Sequence, residues 1–481
     1  MAKKRKHNNR TGAGVRTPKA VQLPKAIQAR YDAAQTTREN QNHWLLADAL
    51  SPNAATNPDV RRTLRMRSRY EIANNSYAKG MIDTLASDCI GTTPRLQVLT
   101  DNPNFNRIVE REFMAWVRAI KLPKKLRTMR KAKVTDGEAF GVLTNNRRIA
   151  HNIKLDLKLF EADQCVTPMP MVSMTRRDIA DGIKLDTDGN PSKYYVLKDH
   201  PGESLGLSNT IADYHTYPAE NIVHWFNADR PGQLRGVPEI TPAIPLFSQL
   251  RRYTLAVLGA AETVADFAAV LFTNAPASGE AANVATMDIV SLEKRMATVL
   301  PEGWELGQIK AEQPSSTYAE FKRELLNEIA RCIGMPFNIA ACNSAGYNYA
   351  SGRLDHQSYH RTIKNEQFDM AGTVLDMLFM AWLAEARLVV PTLKRISAGE
   401  VLPHQWFFDG NEHVDPQKEA NAQKTRLDSK TTTLADEWGK QGQDWEVKLE
   451  QCIKEEAKEQ ELRKKYGVEQ TTEPAETAQA A

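Results

Sequence analysis

The chain has 481 residues, of which 41% are apolar and 25% charged, and a formal net charge of +4. That length accommodates roughly two to four domains with packed interiors. The mild charge excludes a protein whose work is to grip many phosphates at once. Five scattered cysteines, Cys89, Cys165, Cys332, Cys342 and Cys452, contain no CxxC pair; this argues against a zinc site or disulfide framework and for a reducing compartment.

Residues 1–40 carry basic side chains from Lys3 to Arg30 with no acid before Asp32. This composition predicts a flexible basic arm, either a solvated tail or an arm that touches DNA or an acidic partner. The opening MAKKRKHNNR runs into more polar sequence, so no signal peptide is expected. From about 43 to 90 the spacing of Leu64, Tyr70, Ala73, Tyr77, Met81, Ile82 and Leu85 predicts helix, stopped by Gly91 and Pro94. A second helix is expected over 104–120, with Phe105, Ile108, Val109, Phe113 and Trp116 on one face and Pro123 closing it.

Between 134 and 226 the period shortens to two in EAFGVLTNN, KLDLKLFEA, KYYVLKD and NIVHWF, with turn chemistry such as DTDGNP between them. A small β-rich unit is expected, a twisted sheet or partly open barrel. Helix returns at about 242–272, where Ala256, Gly259, Ala260, Ala261, Ala265, Ala268 and Ala269 allow close approach of a neighbour. Its LAVLGAAETVADFAAVLF run is the best membrane candidate, but Glu262 and Asp266 interrupt it, so it reads as a packed helix.

After an irregular section and a strand-like TVLPEGWELGQIKAEQP, a capping box at Thr317 and Glu320 opens another helix with Phe321, Leu325, Ile329 and Ile333 as its stripe. Gly334 and Pro336 end it. The polar, glycine-bearing CNSAGYNYASGR (342–353) precedes a long helix over 353–386. Further helices are expected from Asp415-Pro416 and from Thr433 with Asp436, and the segment from Val468 is of low complexity and read as disordered.

Catalytic motifs are sparse. His356 and His360 share a helical face but lack the glutamate of a zinc peptidase and a third ligand, so they read as ordinary polar residues. DTDGN at 186–190 begins like a calcium loop, yet Leu197 stands where the bidentate glutamate belongs, leaving a hairpin turn. Asp136 and Glu138 qualify by type as an acid–base pair and read as solvated carboxylates. RPGQLRG at 230–236 lacks the lysine-serine or lysine-threonine ending of a nucleotide loop. No cofactor, metal site or enzymatic activity is expected.

Four ordered blocks carry more information: NNSYAKGMIDTLASDCIGTTPRLQ (74–97), IVHWFNADRPGQLRGVPEITPAI (222–244), MPFNIAACNSAGYNYASGR (335–353) and VDPQKEANAQKTRLDSKTTTLADEWGKQGQDWEVKLEQ (414–451). Together they resemble the lambda-type phage portal family, over about residues 40–455. The resemblance implies an α+β portal fold assembled as a ring, usually of twelve subunits, at one capsid vertex. Carried over by element order, it implies a basic arm at 1–40, a wing at 41–241, a first stem helix at 242–272, a clip at 273–314 and a second stem helix at 315–334. It further implies a tunnel loop at 335–352, a long wing helix and following segment at 353–412, a helical crown at 413–466 and a disordered tail at 467–481.

Within that loop, Asn343, Ser344, Tyr347, Asn348, Tyr349, Ser351 and Arg353 would face the channel, with Gly346 and Gly352 letting the backbone bend and at least one tyrosine anchoring it against a neighbouring subunit. The implied partners are further copies of the chain, duplex DNA without sequence specificity, the terminase large subunit, a head–tail connector and the capsid and scaffold proteins, with no membrane. The implied location is the virion portal vertex, and the host cytoplasm during assembly. Another connector or adaptor ring is the alternative within the same class; a phage-associated nuclease or peptidase is the alternative outside it.

Overall fold

In the computed structural model, residues 34, 37–168, 178–203, 213–266, 270–273, 304–307, 317–397, 399–410 and 416–466 are described. Expectations for most of the basic arm, for most of 273–314 and for 467–481 lie outside them. The chain divides into two units, Met1–Ser51 and Pro52–Ala481. Residues 37–46 of the first form turns, pinned where Thr37 and Asn40 exchange side-chain to backbone hydrogen bonds.

The second unit opens with α1 (Pro52–Ala55), α2 (Pro58–Asn74) and α3 (Ser76–Ile90). The helix expected over 43–90 is a single turn, α1, followed by two longer helices, which part at Asn75 because it takes an extended conformation and its side chain accepts from the Tyr77 and Ala78 amides, capping α3. α2 also departs from the apolar stripe: Tyr70 is exposed, and the buried face consists of Arg61, Arg65, Ser68 and Glu71. β1 (Arg95–Val98) leads to α4 (Pro103–Ala119), which buries Phe105, Val109, Phe113 and Trp116 as its spacing predicts.

Pro123 does not simply close α4; it lies in the first turn of α5 (Leu122–Asp136), where its missing amide costs nothing. α5 has three basic side chains among its first six residues after Pro123 and no clean apolar period, which is why spacing alone misses it.

β2 (Glu138–Asn145) is the centre of an antiparallel sheet flanked by β3 (Leu155–Phe160) and β8 (Ile222–Phe226). A second sheet runs in the order β4 (Ile179–Ala180), β5 (Ile183–Leu185), β6 (Pro191–Leu197), β7 (Tyr214–Pro218). Asp186 accepts from the Asp188 and Asn190 amides and so closes the β5–β6 hairpin expected of DTDGN. Phe140, Tyr194 and Ile222 form the core between these sheets.

α6 (Ile244–Asp266) and α7 (Thr317–Cys332) pack against each other, with the Tyr253 and Tyr318 rings stacked 5.6 Å apart and Phe321 edge-on to Tyr253 at 4.8 Å. Between them, β9 (Val270–Thr273) and β10 (Trp304–Gly307) form an antiparallel pair. α8 (Phe337–Ala340) is a single turn, and α9 (Tyr349–Met370) begins four residues before the expected Arg353. A π-helical turn at Ala371–Leu375 joins α9 to α10 (Asp376–Val389), so the long helix continues through a bulge that turns Val374 and Leu375 into the core. Beside them Phe379 and Trp382 meet Phe113 edge-on at 5.5 and 5.2 Å.

β11 (His404–Phe407) pairs with β1. α11 (Pro416–Asp428), α12 (Leu434–Lys440) and α13 (Trp445–Tyr466) follow, α12 with the capping box of Thr433 and Asp436. None of α13 is buried. Its root is tied to β1 and α4, where Gln97 donates to Asp444 at 2.9 Å, Arg95 to the Gly442 carbonyl at 3.0 Å, and Arg107 to Glu450 at 2.6 Å.

At this seam Glu110 accepts from the Val98 amide at 2.7 Å. Burial, reinforced by Asp444 and Glu446, pushes its carboxyl from 4.5 up to about 7. The charged form is the disfavoured one, so Glu110's contribution to stability is complete below about pH 4.5 and is lost as pH rises through 7. Replacing Glu110 with Gln is expected to leave thermal stability unchanged at pH 5 and to raise it at pH 8 by about 1 kcal/mol, discounted because part of the carboxylate stays hydrated. Melting curves at the two pH values check this; equal shifts at both would refute it.

Candidate functional site

The expected loop is organised by its own polar side chains. Gly334 (φ 66°) ends α7, and after α8 the Asn343 amide donates to the Asn338 carbonyl at 3.0 Å. Asn343 Oδ1 accepts from the Ala345 amide at 2.9 Å, and the Tyr347 amide donates to the Ser344 carbonyl at 3.2 Å. Asn348 and Ser351 form the capping box of α9, each side-chain oxygen accepting from the other's backbone amide. Gly346 adopts φ 82°, as a bend requires; Gly352 does not, because it lies in the first turn of α9.

Asn343, Ser344, Asn348 and Arg353 are exposed, and Ser351 is half-buried. Tyr347 packs against the core of α3, α7, α8 and α9 in its own chain, so its anchoring contact is intramolecular. The side chain of Tyr349 lies outside the described residues. Cys342, with φ 50°, is exposed at the loop's start. His356 is held by Asn338 at 2.9 Å, and His360 lies edge-on to it at 5.9 Å.

Two buried charge networks hold the elements behind this loop. In the first, Arg235 of RPGQLRG is a bidentate partner of Glu138, at 2.6 Å from Nη2 and 2.9 Å from Nε. Its remaining donors reach the Cys165 carbonyl at 3.0 Å, the Ala162 carbonyl at 3.2 Å and Asp181 at 3.0 Å. His224, stacked between Phe140 and Phe226, and the Gly236 amide both approach Glu138 Oε2 to 3.1 Å.

Burial alone would raise the Glu138 carboxyl; Arg235 and the His224 hydrogen bond reverse this and hold it well below the usual carboxylate range. Arg61, Arg65 and Arg69 of α2 add pairs to Asp181, Asp163 and Asp136. The reading of Asp136 and Glu138 as solvated carboxylates is therefore overturned: both are buried, and each is already neutralised by an arginine.

In the second network Glu239, just ahead of α6, and Glu366 of α9 both close on α5, through Arg130 (3.0 Å to Glu239, 3.6 Å to Glu366) and the fully buried Lys133, which pairs with Glu366. Lys133 also stands 4.8 Å over the Trp225 ring. A cleft of about 880 Å³ opens here, with Arg331 and Cys332 of α7 on its far wall. Glu239 and Glu366 on its wall are tied to Arg130 and Lys133, so these two carboxylates serve as structural ion pairs.

Among the described residues, one trio has ligand atoms close enough for a metal: Glu161, Asp163 and His200. The Arg69 guanidinium already stands 3.1 Å from Glu161 and 2.8 Å from Asp163, so this acidic site has a resident cation.

A family model described as phage portal protein, lambda family, matches residues 38–367. A curated protein named probable portal protein, from Halomonas phage phiHAP-1, is 24% identical over 415 residues, covering 79% of this chain and 77% of its own length. Among solved structures, a chain from the neck of an empty gene transfer agent (GTA) particle, computed with C6 symmetry, is 12% identical with a TM-score of 0.48 and covers 80% of this chain and 94% of its own. One from the neck of the native particle, computed with C12 symmetry, is 11% identical with a TM-score of 0.43 over the same shares.

Replacing Glu138 with Ala strands Arg235 without a counter-charge in the interior, and the expected loss is about 3–5 kcal/mol in chemical denaturation. The double replacement Glu138→Leu with Arg235→Met should lose markedly less than Glu138→Ala alone. Equal losses would show that the charge pair is not what the surrounding sheets depend on.

Proposed function

The chain belongs to the lambda family of phage portal proteins, and on that premise we propose that copies of it form a ring, of twelve subunits in the particle, whose channel passes duplex DNA inward at packaging and outward at ejection. The ring is the docking platform for the terminase large subunit and then for the head–tail connector, at the vertex where it meets capsid and scaffold proteins. Residues 41–241 and 353–412 are the wing, 242–272 and 315–334 the stem helices, 273–314 the clip, 335–352 the tunnel loop and 413–466 the crown.

The observation that carries this reading is the stem pair. α6 and α7 cover each other on one side, while Leu255, Leu258 and Phe321 remain 61%, 54% and 51% exposed. Apolar side chains on a helix flanked by alanine and glycine fit a neighbour that approaches closely, and in a cyclic ring one copy presents a different patch to the next. The loop fits a channel lining in chemistry. Its amides and hydroxyls are mostly committed to its own turns, and Arg353 is the cation at its end. Few ion pairs to phosphate mean little counterion release and so little resistance to sliding.

Two measurements test the proposal. Leu255→Asp with Leu258→Asp should leave the protomer folded, since both side chains are exposed within it, but should shift the mass in light scattering from a ring to a monomer; a ring of unchanged mass would count against the stem interface. In particles packaged with Cys452→Ser protein, a photo-crosslinker on Cys342 is expected to reach DNA. No adduct from Cys342, with adducts from a cysteine placed at Val401, would remove the loop from the channel.

A further inference from the structure

The net charge of +4 conceals an uneven distribution. Residues 113–135 contain no acid and residues 139–160 only Asp156, against twelve lysines and arginines in the two stretches. Arg130 and Lys133 belong to the buried network, Lys131 pairs with Asp83 at 2.5 Å, Lys125 pairs with Asp156, Arg127 donates to the Gly91 carbonyl and Arg118 lines a groove beside α13. Lys121, Lys124, Arg147, Arg148, Lys154 and Lys158 have no ion pair among the described residues, and all but the half-buried Lys154 are exposed. The fold gathers these six at one corner. Trp116 donates to the Leu155 carbonyl at 2.9 Å, and the next residue, Asp156, takes both Lys125 of α5 and the Asn146 side chain, the latter at 2.9 Å. The turn between α4 and α5 therefore meets the β2–β3 hairpin at Asp156. Lys121 and Lys124 stand within about one helical turn of Lys125, Arg147 and Arg148 follow Asn146, and Lys154 and Lys158 lie two residues before and after Asp156. Ile149 and Ile153 of the hairpin share a core with Ile120 and Leu122, and Asn146 accepts from the Arg148 amide, so the backbone that displays these cations is fixed. The acids here are Asp156, already matched, and Glu385 of α10, which accepts from the Leu155 amide at 3.1 Å.

We infer that this corner is a second surface for duplex DNA, one that takes the phosphate backbone without reading bases. The charge selects a polyanion. No large apolar side chain of residues 113–160 is exposed, and this selects phosphate over an acidic protein, because protein interfaces are centred on aromatic and aliphatic anchors. Asn145 and Asn152, exposed on the same hairpin, add amide donors of the kind that meet phosphate and sugar. A duplex carries one charge per about 1.7 Å of its axis, so cations from a helix start and a hairpin meet it without a pocket. The corner is separate from the loop at 342–353. α5 begins at the corner, and about 18 Å along the helix it carries Lys133 and Val134 into the network and core behind that loop. Five exposed cations suit weak, sliding contact, with a dissociation constant of about 1–100 µM at physiological salt. The assignment needs no ring, since every residue it uses lies within one protomer.

Fluorescence anisotropy of a labelled linear duplex of mixed sequence, and gel retardation of a covalently closed circle, which cannot thread a channel, test this on the full chain. Both are expected to bind, weakening between roughly 50 and 200 mM NaCl with a log–log slope of about −0.9 per phosphate contacted. Lys124→Glu with Arg147→Glu and Arg148→Glu should weaken binding at least about tenfold and make the slope shallower by about 3. All three side chains are exposed, so this variant should keep its melting temperature. Unchanged duplex affinity in the variant overturns the inference, as does binding of the linear duplex without capture of the circle. Polyglutamate that displaces the duplex at equal charge would assign the corner to an acidic protein, and a changed mass of the variant in light scattering would assign it to another copy of the chain; either result overturns the DNA assignment. The mass of the unaltered protein reads the ring separately, so a protein that stays monomeric and still captures the circle would refute the ring and leave this surface standing.

Discussion

The sheets and the helices around them depend on one buried contact, the bidentate pair of Arg235 with Glu138. Glu138 is the first residue of the central strand β2, and Arg235 stands in an irregular loop nearly a hundred residues away. Their pairing forces two backbones together at Gly137 and Gly236, where a Cβ on Gly236 would lie 2.0 Å from the Gly137 carbonyl oxygen. Only glycine fits both positions, and Gly137 also needs its φ of 90° to end α5 and start the strand. The surrounding carbonyls, the imidazole and the α2 arginines then follow as compensation, since two ions removed from water must have every lone pair and proton occupied. RPGQLRG is also held from within, where Gln233 accepts from the Asp229 and Arg230 amides, and from outside, where Asn53 bonds both ways to Gly232 and Leu234.

This contact fixes where the chain leaves the sheets, and a second network fixes the direction in which it continues. Glu239 follows Arg235 by four residues, its amide donating to the Val134 carbonyl while its carboxylate meets Arg130. Glu366 reaches the same helix from α9. The approach to α6, the long helix and α5 thus share charges, and α6 is tied to α2 through Arg251 and Glu71. Ion pairs are direction-sensitive where apolar contacts are not, so the base of α6 and α7 is set in angle as well as in position. The π-helical turn in the long helix lies on the same line, one residue beyond Met370, and admits an extra residue there without breaking the rod.

Much of this architecture was legible in the sequence wherever burial of apolar side chains determines structure. Phe113 and Trp116 in α4, the alternation in β2 and β8, the Asp186 turn and the Thr433 cap all follow from period or local hydrogen bonding. The portal family was legible from four ordered blocks. The charged interior was not. Arg61, Arg65, Ser68 and Glu71 sit at helical spacing, but a polar stripe ordinarily marks the solvent face. Glu138 looked exposed because its partner is remote in sequence, and nothing in the sequence singles out Lys133, a residue type that is almost never fully buried. A signal existed in retrospect: α2 has no apolar face to bury, so a helix that packs at all must pack through its charges. In the loop, Asn348 and Ser351 were read by type as ligands for a passing backbone, while their spacing of three, the same logic applied at Thr433, marks them as a cap.

Under the proposed function, that local hydrogen bonding bears on how a channel surface would be built. A loop that keeps its polar atoms for its own turns presents carbon, amide edges and few charges outward, and its shape does not depend on what passes it. Tyr347 reinforces this by anchoring in its own subunit, so the loop's position is set by α3, α7 and α9 before any neighbour arrives. In a ring, each copy would then carry a preformed loop, and assembly would add proximity without refolding. The cost of ordering the loop is met within the protomer by the Asn348 cap, the Gly346 turn and the Tyr347 contact. Energy from DNA contact is therefore not needed to shape it, which is the condition for a surface that touches a moving polyanion without holding it.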